Sequence, residues 1–297
     1  MLQTFRKAFQ IEDIRKKILY TLAMLFVVRL GSQLPTPGVD PNYIKDFFAN
    51  QTGETFNFFN AFTGGSFEQM SVFALSITPY ITSSIIMQLL TIAIPKLEEM
   101  QKEGEDGRKK IATITRYVTV GLALIESTAM AVGFGRRGLL EEYNFVNAAI
   151  VVLTLTAGSA FLMWIGERIT EKGVGNGISI VLLINILSRV PSDLTTLYET
   201  FVKGKGLAKG GLAALIILAI ILALVVFTVV LQDAERRIPV QYSQKVQGRR
   251  SVGGQSTNIP LKVNTAGVIP VIFASSIMQF PIVIASFLGK GNGTGIG

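Results

Sequence analysis

Apolar runs of membrane-spanning length recur along this chain, and they set its class before any other feature is weighed. A helix crosses a bilayer in about 20 predominantly apolar residues. Seven stretches meet or approach that length: residues 18–34, 72–94, 111–134, 146–165, 178–190, 212–231 and 263–288. The fifth is short and opens after Gly173, Gly175 and Gly177, so it is expected to lie inside a bundle rather than alone in lipid. Charged residues make up only 16% of the chain, against about 25% in ordinary soluble proteins. The fold class expected is therefore an all-α membrane protein.

Composition also removes several chemistries. There is no cysteine and no histidine, which excludes thiol catalysis, disulfides, Cys/His metal sites and histidine acid–base work within the chain. No Gly-Lys-Ser/Thr phosphate loop is present, so the chain is not read as an enzyme, and no cofactor or metal is expected. The net charge is +8, and its distribution orients the spans. With the N-terminus cytoplasmic, Arg6, Lys7, Arg15, Lys16 and Lys17 lie inside. So do Lys96, Lys102, Arg108, Lys109 and Lys110, then Arg168 and Lys172, then the basic residues of 232–262. Fewer basic residues fall outside, although Lys203, Lys205 and Lys209 run against the rule. A basic stretch before an apolar run also opens signal peptides, but no small-residue cleavage site follows Arg29, so the first run is read as a retained span.

Two segments break the pattern of spans. Residues 55–67 are too short to cross, rich in Phe and Asn, and contain the pair Gly64 and Gly65. They read as a half-helix folded back toward the bundle, since broken backbone at membrane depth survives only against protein or water. Residues 232–261 carry Arg236, Arg237, Lys245, Arg249 and Arg250 with few apolar side chains. They read as a cytoplasmic projection, either a lipid-facing surface or a docking site for a large anionic partner. Besides Arg189 at the outer end of the fifth run, three charges fall within spans. Arg29 and Arg116 are expected to snorkel toward the nearest surface, and Glu126 has no evident partner in sequence.

The second and seventh spans resemble each other. Residues 77–88 (ITPYITSSIIMQ) and 268–279 (VIPVIFASSIMQ) share proline, isoleucine, serine, isoleucine, methionine and glutamine at corresponding positions. The two spans run in opposite directions, and inverted repeats around a midplane pathway characterise many transport proteins. A five-span repeat unit implies ten spans, of which this chain carries seven. Each copy has a proline and a Ser/Gln face at helical spacing. That face fits either a kinked helix whose hydroxyls bond its own carbonyls or a polar seam between two helices.

Long ordered motifs spread over nearly the whole chain resemble the SecY family, the channel subunit of the bacterial Sec protein translocon. They are residues 76–90 (SITPYITSSIIMQLL), 104–110 (GEDGRKK), 166–179 (GERITEKGVGNGIS), 247–250 (QGRR) and 260–276 (PLKVNTAGVIPVIFASS). The resemblance implies a helical bundle of inverted five-span halves, here stopping after the seventh span, with a short re-entrant plug half-helix. Residues 1–190 would form the N-terminal half, with spans one to five and the plug at about 56–67. Residues 191–297 would form part of the C-terminal half, with spans six and seven and the cytoplasmic loop at about 232–262.

The same resemblance assigns roles. Ile77 and Ile81 are four apart and share a helix face, as do Ile178 and Leu182. With Ile272 they match positions of the family's aliphatic pore ring. Phe56, Asn57, Phe58, Phe59, Asn60, Phe62, Gly64, Gly65 and Phe67 match its plug, with the glycine pair as a hinge. Ser83, Ser84, Gln88, Ser275, Gln279 and Phe280 match the lateral gate between the second and seventh spans. Arg236, Arg237, Lys245, Arg249 and Arg250 would dock the ribosome, through its RNA, or the SecA motor ATPase. Implied partners also include SecE, SecG, signal sequences, unfolded preproteins and membrane lipid, at a bacterial inner membrane. The competitors weigh less. A G-protein-coupled receptor has its N-terminus outside, a retinal protein needs a lysine mid-way along the seventh span, and an ion-coupled transporter would rest on Glu126 alone.

Overall fold

The computed structural model of the chain describes residues 9–40, 63–135, 140, 142–203, 207–240, 245–247, 250–252, 257–265, 267, 270, 271 and 274. Within them lie helices α1 (Glu12–Gly31), α2 (Thr78–Ala93), α3 (Pro95–Lys102), α4 (Glu105–Phe134), α5 (Phe145–Lys172), α6 (Gly177–Phe201) and α7 (Leu207–Asp233). Four strands follow: β1 (Glu235–Val240), β2 (Lys245–Gln247), β3 (Arg250–Val252) and β4 (Thr257–Lys262). The described residues fall into two compact units, dividing after Pro191. By length and composition α5, α6 and Lys209–Asp233 of α7 can each cross a membrane, and α2 with α3 adds a bent candidate.

That bend, 101°, has a local cause. Pro95 opens α3, and the residue before a proline is pushed out of the helical region. Ile94 is accordingly extended, with φ −110° and ψ 111°, so α2 stops at Ala93. Its start differs from the expected run 72–94. Helix begins only at Thr78, with Pro79 in the first turn where a missing N–H costs nothing. Residues 64–76 form turns and a bridge, with two non-glycine residues, Met70 and Ser76, in the left-handed region.

The fifth span is longer than the 13-residue run expected from 178–190. The helix passes through Pro191 and continues to Phe201, because loss of one N–H interrupts but does not end a long helix held on both sides. Most of the expected seventh span lies outside the described residues.

In the first unit α4 packs between α2 and α5. Hydroxyl pairs tie these helices together. Ser83 Oγ and Thr119 Oγ1 lie 2.5 Å apart between α2 and α4, and Ser127 Oγ and Thr156 Oγ1 lie 3.0 Å apart between α4 and α5. Such bonds are used where apolar burial cannot discriminate protein from lipid. Close approach is allowed by Gly158, where a Cβ would stand 2.0 Å from Val72 O.

In the second unit the stretch expected as a cytoplasmic projection forms antiparallel ribbons. β1 pairs with β4 from Glu235↔Lys262 to Val240↔Thr257, and β2 pairs with β3. The helical class expected holds, and the strands add a small β ribbon after α7. Pro239 and Pro260 sit in its strands, which a two-stranded ribbon tolerates because both strands are edges.

Candidate functional site

The 166–179 motif builds the junction of α5 and α6. Thr170 Oγ1 donates to Gly166 O at 2.9 Å and accepts from the Gly177 N–H at 2.9 Å. Asn176 Oδ1 accepts from the N–H groups of Ile178 at 3.1 Å and Ser179 at 3.4 Å, capping α6. A Cβ on Gly177 would stand 2.0 Å from Gly166 O, so α6 rises directly against α5. A Cβ on Gly166 would meet Ile178 Cγ1 at 3.1 Å and Ile77 Cδ1 at 3.5 Å. Gly166 thus leaves the space in which an isoleucine from the foot of α2 and one from α6 stand side by side.

Around that point the structure gathers one apolar cluster. Val28, Phe73, Ile77, Leu162, Ile165, Ile169 and Val181 are buried, and Ile81, Ile178 and Leu182 pack against them half-buried. The four described ring candidates, Ile77, Ile81, Ile178 and Leu182, are therefore brought together from two helices. Ile272 lies outside the described residues.

The described gate candidates separate. Ser83 is buried and turned to α4 through Thr119, while Ser84 is half-buried and Gln88 is exposed. Ser275, Gln279 and Phe280 lie outside the described residues, as do Phe56, Asn57, Phe58, Phe59, Asn60 and Phe62 of the expected plug. Its end, residues 64–67, is a turn rather than helix, because Gly64 (φ 66°) and Gly65 (φ 84°) stand consecutively in the left-handed region. Phe67 is buried in a second apolar cluster with Met70, Leu75 and Leu155. Gly64 does not stand free as a hinge. A Cβ there would lie 2.7 Å from Asn185 O, Ser188 Oγ donates to Gly64 O at 3.5 Å, and Arg189 reaches Glu68 at 3.6 Å.

On the ribbon, Arg236 and Arg237 are exposed neighbours in β1 and so point to opposite faces. Lys245 and Arg250 hold places in β2 and β3, and Arg249 lies outside the described residues. Of the charges within apolar runs, Arg116 is partly exposed and donates from Nε to Glu167 Oε1 at 2.8 Å, joining α4 to α5. Arg29 keeps a buried Nη1 without a hydrogen-bond partner. Among the described residues no group of acidic side chains is placed to hold a metal.

Sequence reasoning missed Ser76, Ser159 and Asn185. Asn185 Nδ2 donates to Ser76 Oγ at 3.1 Å, and Ser159 Oγ donates to Ser76 O at 3.2 Å. The one signal available was a lone asparagine inside an apolar run.

The chain is similar to known proteins along most of its length. The family model described as SecY matches residues 71–295. The protein translocase subunit SecY of Corynebacterium glutamicum is 43% identical over 298 residues, covering 96% of this chain and 66% of that protein. That of Halalkalibacterium halodurans is 45% identical over 295 residues, covering 98% and 68%. Sec61 in the canine ribosome-channel complex from the endoplasmic reticulum superposes with a TM-score of 0.56 at 19% identity, covering 94% of this chain and 60% of that one. The chain thus spans about two thirds of the length of these curated relatives.

Proposed function

As the chain belongs to the SecY family, a family of multi-pass membrane proteins, we propose that it forms the central part of a protein-conducting channel. It passes unfolded secretory proteins and releases signal sequences and membrane segments sideways to lipid. The observation that supports this most is the gathering of Ile77, Ile81, Ile178 and Leu182 in one apolar cluster at the meeting of α2, α5 and α6. An aliphatic constriction excludes water and ions by dewetting, without a binding site that would retain a polar chain. Ile272 supplies a further ring position from the seventh span.

The remaining assignments follow from family membership together with the chemistry of the residues. Residues 1–190 and 191–297 belong to two inverted halves, and residues 56–67 close the outer side. Ser84 and Gln88 on α2 face Ser275, Gln279 and Phe280 across the lateral gate. A seam of polar pairs worth about 0.6–2 kcal/mol each yields to a signal helix whose leucines each gain about half a kcal/mol from lipid. SecE and SecG complete the membrane complex of a bacterial inner membrane, with this chain's N-terminus cytoplasmic. The ribbon bearing Arg236, Arg237, Lys245, Arg249 and Arg250 docks the ribosome or SecA, and nucleotide hydrolysis resides in the motor, not here. The test of the seal is electrical. In the full-length channel, Ile81→Asn raises resting ion conductance across a planar bilayer, while Ile92→Asn, at an exposed position of the same helix, leaves it unchanged. Equal conductance in the two variants contradicts a seal at Ile81.

A further inference from the structure

At the foot of α2 one residue is held in a conformation that its own side chain disfavours. Ser76 has φ 53°, in the left-handed region where a Cβ crowds the following carbonyl oxygen. It is not a glycine, and it is only 1% exposed. Two side chains from separate helices grip it. Ser159 Oγ on α5 donates to its carbonyl oxygen, and Asn185 Nδ2 on α6 donates to its hydroxyl oxygen. The next residue is Ile77, which caps α2 and is fully buried in the apolar cluster.

Asn185 is poorly suited to packing alone. It is 2% exposed, and its Oδ1 is buried without a hydrogen-bond partner. Burying half an amide unpaired is costly, and an apolar side chain would extend the Val181 face without that cost. Strained backbone persists only where its surroundings over-determine it. The amide and the Ser159 hydroxyl do so here, beside the turn bond that the Ser76 N–H donates to Phe73 O at 2.8 Å.

We propose that Asn185 and Ser159 are positioning residues that hold Ser76 left-handed and thereby fix the direction in which α2 leaves the preceding turn. The proposal rests on the channel function above and adds a device to it. A helix pivots about the dihedrals at its first residue, so the grip on Ser76 sets where Ile77 and Ile81 stand relative to Ile178 and Leu182. Without the grip, Ser76 relaxes toward the right-handed or extended region and the ring loses its register, while the path for a polypeptide remains.

Resting ion leak and preprotein passage are read separately, using the full-length channel with its partner subunits in proteoliposomes. Asn185→Ala raises resting potassium efflux several-fold while passage of a preprotein is retained. Glycine adopts φ 53° without being held, so adding Ser76→Gly to Asn185→Ala returns the leak to near that of the parent. A simple packing defect predicts the opposite, because the second change removes still more side chain. Unchanged efflux in Asn185→Ala, or a double variant as leaky as the single one, overturns the proposal. If Asn185→Ala fails to assemble, Ser159→Ala, which deletes one hydroxyl, carries the same two expectations. Absence of preprotein passage through the parent channel would contradict the channel function itself, not the grip.

Discussion

Gly166 and Gly177 show how a residue with no side chain can shape an apolar constriction. Their positions demand glycine to different degrees, and this orders two substitutions. A Cβ on Gly177 meets backbone, Gly166 O, at 2.0 Å, so α5 and α6 must part. A Cβ on Gly166 meets a side-chain methylene, Ile178 Cγ1, at 3.1 Å, a contact relieved by a shift of a few tenths of an ångström. Gly177→Ala should therefore cost about 1–3 kcal/mol of stability, the usual range for overpacking, and Gly166→Ala less. Thermal unfolding of the detergent-solubilised complex checks the order, and equal melting temperatures would contradict the close approach. At this scale the sequence was informative where signals are local. The spacing of Ile77 and Ile81 places both on one face, and the glycines of 173–177 mark a junction. It was silent on the Asn185 bond to Ser76, which joins residues 109 apart, and on Ser83, whose bond to Thr119 spans 36. A polar pair between distant helices leaves no periodic trace.

Among the elements, α2 and the β ribbon departed most from expectation, for different reasons. Hydropathy cannot distinguish helix from apolar turns, so residues 72–77 were merged into the second span although Ser76 is left-handed. The fifth apolar run ends at Val190, yet the helix continues through Pro191 to Phe201. The projection is legible in the sequence but its strand pairing is not, because charges and prolines interrupt any apolar–polar alternation along β1. Its exposed arginines give a prediction specific to this element. Each phosphate contact on RNA steepens the salt dependence of binding by about 0.7–0.9 in log–log slope. Arg236→Ala with Arg237→Ala should weaken binding of ribosomes to the reconstituted channel and flatten that slope by up to about 2. An unchanged affinity and slope would place the docking surface elsewhere.

For the molecule as a whole, the class of fold was legible because a bilayer imposes a length and polarity rule that sequence expresses directly. The long motifs carried the family. The inverted repeat was suggested by residues 77–88 and 268–279, but the second copy falls almost entirely outside the described residues. Three of the five proposed gate residues and one ring position therefore rest on sequence. The central claim is that a polypeptide passes between these helices at the apolar cluster, and crosslinking tests it most directly. A photoreactive residue is placed at Ile81, at Ile272, or at Leu218 on α7, which is 60% exposed, in the full-length channel engaged with a stalled secretory chain. Crosslinks to the chain at Ile81 and Ile272 but not at Leu218 are the predicted result. Silence at both ring positions, in a complex shown to be assembled and engaged, would contradict the account.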